Sequence, residues 1–154
     1  MTTPAYLAGL LLAGRRVVVV GAGRVARRRV PTLLGAGADV TVIAPEVLPE
    51  LADMAAAGRL TLVQREYRSG DLDGAWYVLA LTDSAPVNAD VAAAAEAGHT
   101  FCVRADRADG GSAWTPATGR ADGVTIAAIT AAHDPLRAKA IRDRILSVVV
   151  DEQL

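Results

Sequence analysis

The chain has 154 residues, 52% of them hydrophobic, a formal net charge of -1 and one cysteine, Cys102. That size fits one domain, or one domain with an appendage, and the apolar content suffices for a buried core. Near-neutrality and the absence of any apolar run approaching about 20 residues speak against a nucleic-acid partner or a membrane span, a lone cysteine excludes a disulfide framework or Cys-based metal cluster, and an opening with no basic stretch before its apolar residues leads us to expect a cytoplasmic protein.

The first predicted strand is Val17–Val20, an unbroken β-branched run short enough to be buried on both faces. Gly21, Ala22, Gly23, Arg24, Val25 and Ala26 follow as a G-x-G-x-x-A turn that opens a helix over Arg24–Leu34. Gly21 permits the tight turn, Gly23 lets a pyrophosphate approach the backbone, and Ala26 is small enough for close helix–strand packing. The free N–H groups of the helix start then favour the anion. A glycine turn that merely tightens packing is the competing reading. Pro31 lies inside this helix and should kink it. Arg27, Arg28 and Arg29 wrap around it, so at most two can face a ligand.

Asp39–Ala44 reads as the second strand, closed by Pro45, and Leu48–Ala57 as a short helix stopped by Gly58. Leu60–Arg65 and Trp76–Leu81 are the third and fourth strands. Pro86–Ala97 is an alanine-rich helix starting near Ser84, and Thr100–Ala105 is the fifth strand, where Cys102 reads as a buried, inert thiol. Repeated β-α-β units imply an α/β fold with a doubly wound parallel sheet. Ligands bind such sheets beyond the carboxyl ends of the strands. Gly21 to Val25, Ala44 to Glu46, Thr82–Asp83 and Asp106 all fall there and should converge on one crevice. Glu46 reads as a ribose contact favouring NAD over NADP, or as a solvent-facing residue. Asp106 alone reads as a turn-forming Asp.

After Asp106 the character changes. Ala108 to Gly111 break the pattern. Ser112–Ala117 and Val124–Thr130 are read as strands joined by a turn over Thr118–Gly123. Pro135–Val150 closes the chain as a helix capped by Asp134, with Leu136, Ala140, Ile141 and Ile145 on its apolar face. We therefore divide the chain into a dinucleotide-binding domain, 1–110, and a strand-strand-helix segment, 111–154, too small to fold alone. The abrupt ending at Asp151-Glu-Gln-Leu leaves room for a longer parent protein.

Four stretches carry a family resemblance. They are Tyr6-Leu-Ala-Gly-Leu-Leu leading into the first strand and glycine turn, Gly35 through Pro45, Leu79-Ala-Leu-Thr-Asp with the later Val87-Asn88, and Phe101-Cys-Val-Arg-Ala-Asp followed by Ser112 and Pro116. In order and spacing the chain resembles the precorrin-2 dehydrogenase and sirohydrochlorin ferrochelatase family, the N-terminal module of siroheme synthases. The resemblance implies a Rossmann-type sheet and NAD-dependent oxidation of the tetrapyrrole precorrin-2 to sirohydrochlorin, with Asp106 as the base. In bifunctional members Fe²⁺ then enters the macrocycle, whose own nitrogens hold it, so no protein metal site is required. It also implies a homodimer built through the C-terminal segment. A substrate with many acetate and propionate groups makes Arg104, Arg107, Arg120 and basic residues of the last helix candidate anchors. The chain departs from the family at Ile129-Thr-Ala-Ala-His-Asp-Pro, where Ala131 and Ala132 replace glycines. This bears first on chelation. His133 there is read as a proton carrier or, preferably, a capping or surface residue, and His99 as a turn residue. A non-catalytic NAD(H)-sensing module, or a dehydrogenase for another small substrate, would use the same first strand and turn.

Overall fold

The computed structural model describes residues 5–151. Residues 8–113 form one compact unit, and a second unit begins at Trp114 and takes in residues 5–7.

The first unit is a five-stranded parallel sheet of β1 (Arg16–Val20), β2 (Asp39–Ile43), β3 (Thr61–Val63), β4 (Tyr77–Ala80) and β5 (Phe101–Arg104), in the order β3-β2-β1-β4-β5. The chain winds outward from β1 in one direction and then, from β4, in the other. The doubly wound reading of the sequence therefore holds, and a topological switch point lies between β1 and β4. Helices α1 (Arg24–Gly35), α2 (Pro49–Ala56) and α3 (Ala85–Ala97) cover the sheet. Alternation along β1 feeds two cores. Val17 and Val19 pack with Ala26, Val30, Leu33 and Leu51 from α1 and α2, while Val18 and Val20 pack with Val91 and Ala95 from α3. Both faces of β1 are dry, which is why its sequence is four consecutive valines.

Local chemistry sets the helix ends. Ser84 caps α3, its hydroxyl accepting from the Val87 N–H at 3.4 Å. Pro31 sits on the exposed side of α1, and the helix runs through it to Gly35. Beyond β5 a 3-10 turn (Ala108–Gly110) folds back along the edge of the sheet. The Ser112 and Ala113 N–H groups both donate to the Cys102 carbonyl, and the Cys102 N–H donates to Ser112 Oγ at 3.0 Å. These bonds cover an edge strand that would otherwise expose unpaired backbone. They also explain why the first unit extends to Ala113, past the boundary expected at 110.

In the second unit, β6 (Ala117–Ala121) and β7 (Val124–Ala128) form an antiparallel hairpin, and α4 (Pro135–Asp151) packs on it. Three expectations are corrected here. The strand expected at Ser112–Ala117 lies instead at Ala117–Ala121, because Ser112 and Ala113 are spent on β5. The six-residue turn shrinks to Asp122-Gly123, with φ of 47° and 79°, the two positive values that a tight hairpin turn of this hand requires. The face of α4 differs too. Ala138, Arg142 and Leu146 turn toward the hairpin, with Arg142 Nη1 donating to the Thr118 carbonyl at 2.8 Å, whereas Leu136, Ile141 and Ile145 are exposed. Asp134 caps α4 as expected, accepting from the Arg137 N–H at 3.0 Å. Residues 152–154 of the closing tail lie outside the described residues. No helix among the described residues is long and apolar enough to cross a membrane.

Candidate functional site

A crevice of about 820 Å³ opens beyond the carboxyl ends of the strands at the switch point. Gly21, Ala22, Gly23, Arg24, Val25, Ala44, Pro45, Glu46, Thr82 and Asp83 all line it. The sequence therefore brings together in one cavity every residue it nominated for the cofactor.

The two glycines act differently. Gly21 has φ of 108°, and a Cβ there would lie 2.7 Å from the Leu81 carbonyl oxygen. It is a packing glycine that lets β1 and the end of β4 approach. Gly23 has φ of -91°, and a Cβ there would meet nothing within 4 Å. Its bareness leaves open space at the start of α1. No side chain caps that helix and its first turn carries no acid, so its first N–H groups face the crevice without a protein anion. A bound pyrophosphate fits this arrangement on both charge and room. Arg24 is the single cation of the lining among the described residues, while Arg27 is paired with Glu50 at 2.9 Å and neither Arg28 nor Arg29 lines the crevice.

The loop after β3 contributes Glu66 and Tyr67, which sequence reasoning missed. That loop is braced by Arg65, whose Nη2 and Nη1 hold Asp71 at 2.7 and 2.8 Å. Burial, and then the nearby Asp71 and Asp90, push the Tyr67 phenol above its usual pKa. The signal was available: β3 is parallel to its neighbours, so its carboxyl end had to reach the same rim. Asp90 on α3 also faces the crevice.

Asp106 follows β5 and does not itself line the crevice. It stands one side chain away. The Asn88 carboxamide, fully buried, joins Thr82 of the crevice wall to Asp106 Oδ1 at 3.0 Å. Arg104 grips the same carboxylate with two bonds, Nη2 to Oδ2 at 2.6 Å and Nε to Oδ1 at 3.1 Å. The Arg104 hydrogen bonds, aided by Asn88, hold the Asp106 carboxyl below the usual carboxylate range. Gly110 makes room for the clamp, since a Cβ there would lie 2.9 Å from Arg104 Nη1.

The basic candidates separate. Arg104 is committed to Asp106, and its side chain is 10% exposed. Arg107 is exposed and pairs with Asp109 at 2.8 Å. Arg120 lies on β6 of the second unit, its Nε donating to Thr125 Oγ1 at 3.1 Å. His133 in that unit stacks edge-on against Trp114, with ring centroids 4.6 Å apart. His99 takes the positive φ of 53° that turns the chain out of α3. Cys102 is buried, and desolvation raises its thiol pKa to about 11, which suits an inert core residue. Among the described residues no three His, Cys, Asp or Glu side chains group to hold a metal ion.

Known proteins resemble this chain over most of its length. A family model described as putative NAD(P)-binding matches residues 9–117. The siroheme synthase of Chromobacterium violaceum is 38% identical over 140 residues, which is 91% of this chain and 30% of that protein. The chain thus spans about 30% of the length of the siroheme synthases it matches. The precorrin-2 dehydrogenase of Bacillus subtilis is 30% identical over 131 residues, covering 85% of this chain and 80% of that one. A solved structure titled SirC, precorrin-2 dehydrogenase, superposes with a TM-score of 0.81 at 28% identity, covering 93% of this chain and 70% of that chain.

Proposed function

The chain belongs to the NAD(P)-binding family that includes precorrin-2 dehydrogenase, and on that premise we propose that it oxidises precorrin-2 to sirohydrochlorin with NAD⁺. The observation that carries the reading is the placement of the Asp106 carboxylate, clamped by Arg104, one buried side chain away from the wall of the crevice at the switch point. The first N–H groups of α1 and the bare Gly23 receive the pyrophosphate. Ala44, Pro45 and Glu46 frame the adenosine end, and Thr82 and Asp83 flank the other. Bound NAD⁺ supplies the hydride acceptor. Asp106 accepts the proton that the tetrapyrrole releases when it is oxidised. It is ionised near neutrality, as a carboxylate of ordinary or lowered pKa is, and the Arg104 bonds that lower its pKa also make it a weaker base than a free carboxylate.

Arg107 is the candidate anchor for substrate carboxylates, and Arg104 orients the base. Ferrochelation would use Fe²⁺ as a second substrate, ligated by the macrocycle nitrogens while Asp106 receives pyrrole protons. The exposed apolar stripe of α4 supports a homodimer. We assign the reaction to the cytoplasm, in line with the lack of any membrane-crossing helix among the described residues.

The test is an absorbance assay with precorrin-2 and NAD⁺, followed by addition of Fe²⁺. We expect sirohydrochlorin in the first stage, and Asp106→Ala should abolish turnover while retaining NAD⁺ binding. An unchanged rate in that variant removes Asp106 from the mechanism. Tight NAD⁺ binding without any oxidation would favour a sensing module.

A further inference from the structure

Asn88 is the one fully buried polar side chain in the first unit whose hydrogen-bonding capacity is entirely used between the crevice and Asp106. Its Oδ1 accepts from the Thr82 N–H at 3.0 Å and from Thr82 Oγ1 at 2.7 Å. Its Nδ2 donates to the Thr82 carbonyl at 2.9 Å and to Asp106 Oδ1 at 3.0 Å. A primary carboxamide has two donors and two acceptor positions, so nothing is left over. Its orientation is chemically determined. The Thr82 N–H can only donate, so it must meet Oδ1, and the Asp106 carboxylate can only accept, so it must meet Nδ2.

The residue type is equally constrained. Leucine would fill the space but strand the Thr82 N–H and remove a donor from Asp106. Aspartate would set a second carboxylate against Asp106. Packing alone does not call for asparagine here: its neighbours on the buried side of α3, Val91 and Ala95, are apolar. A buried amide is tolerated where all its partners are in place.

We propose that Asn88 is a positioning residue for the oxidation: it locks the Thr82 wall of the nucleotide crevice and the Asp106 carboxylate into one rigid group, so that seating the cofactor and aiming the base are a single event. This rests on the reading of Asp106 as the base. Arg104 alone cannot do the same work. Its two bonds to Asp106 come from the same strand end and make no link to the crevice wall. The charges acting on Asp106 are Arg104 and, more distantly, Arg107.

The experiment compares full-length wild type, Asn88→Ala, Asn88→Asp, Thr82→Val and Asp106→Asn. For each, NAD⁺ affinity is measured by calorimetry, and kcat, KM for precorrin-2 and the acid limb of the pH–rate profile are measured on folded protein. We expect Asn88→Ala to lose about tenfold or more in kcat, about 1.4 kcal/mol of barrier, with a smaller change in KM. Its acid limb should move to higher pH, because a donor to the carboxylate is gone. Asn88→Asp should move that limb further, since a like charge opposes ionisation. A merely structural asparagine would not produce that order. Thr82→Val, which keeps shape but replaces the hydroxyl by a methyl and so ends its bonds to Ser84 as well as to Asn88, should shift the limb in the same direction by less. It decides the matter if the buried variants do not fold.

An acid limb unmoved in every folded Asn88 and Thr82 variant overturns the proposal. If Asp106→Asn is inactive in that same experiment, the base reading survives and only the role of Asn88 falls. If Asp106→Asn turns over at the wild-type rate, the base reading falls and the role of Asn88 falls with it.

Discussion

Arg104 and Asp106, two residues apart at the end of β5, face each other in a two-point ion pair with a shorter bond of 2.6 Å. A carboxylate so held is easy to ionise and well aimed, but it is a weaker base than a free one. Replacing Arg104 with Met should therefore move the acid limb of the pH–rate profile upward, because the main cause of the low Asp106 pKa has been removed. The same linkage acts on folding. A carboxyl depressed in the folded state contributes stability above its unfolded pKa of about 3.9 and loses it as pH falls through the folded value. Below about pH 4 the wild type should give up part of its advantage over Arg104→Met, as read from urea midpoints at pH 6 and pH 3.

The two motif glycines should separate folding from binding. Gly21→Ala forces a side chain onto the Leu81 carbonyl at a φ of 108°. Strain of this kind costs on the order of 1–3 kcal/mol, and the melting temperature should fall along with NAD⁺ affinity. Gly23→Ala places its methyl in open space at a φ any residue can adopt, so the melting temperature should hold while NAD⁺ affinity drops. Calorimetry and thermal melts on the pair check this. Equal melting losses in both variants would mean that Gly23 serves packing as well.

Much of this was legible in the amino-acid order because it was local. The glycine turn, the Ser84 cap and the four valines of β1 each report their own surroundings. The nominated crevice residues converge because a parallel sheet puts every strand's carboxyl end on one rim. What was missed depends on distant partners. Ser112-Ala-Trp reads as a strand until Cys102 claims its N–H groups. Nothing in Pro86-Val-Asn shows that the asparagine amide will meet an aspartate 18 residues later. The packed face of α4 could not be read because its apolar residues occupy two adjacent stripes, and only one of them meets the hairpin.

Among the described residues the crevice carries four carboxylates, Glu46, Glu66, Asp83 and Asp90, against the single cation Arg24. A 2′-phosphate would enter an unfavourable field. NADP⁺ should bind at least about tenfold more weakly than NAD⁺, roughly 1.4 kcal/mol. Raising the salt should narrow that gap, since exposed charges are screened within about 10 Å at 0.1 M ionic strength. Titrations of both nucleotides at two ionic strengths, in wild type and in the Glu46→Gln/Glu66→Gln double variant, read the effect. A gap unchanged by either treatment would place the discrimination in shape instead of charge.

Ile141, Ile145 and Val148 lie one to two turns apart on α4 and are 41%, 43% and 48% exposed. Positions i, i+4 and i+7 fall on one helix face, so these three side chains make a continuous apolar stripe beside the stripe that packs on the hairpin. A lone exposed isoleucine is unremarkable, but a stripe of three along a helix is the pattern of a covered surface. Burying it against a second copy is worth about 25 cal/mol per Å² removed from water. Replacing Ile145 with Asp would place a charge in the middle of the stripe without touching Ala138, Arg142 or Leu146, which hold the helix to its own hairpin. Light scattering should then report a dimer for the wild type and a monomer for Ile145→Asp, with the circular dichroism of the two unchanged. NAD⁺ affinity should survive, because every crevice residue belongs to the unit ending at Ala113. A wild type that stays monomeric across the concentration series would leave α4 with no role in assembly.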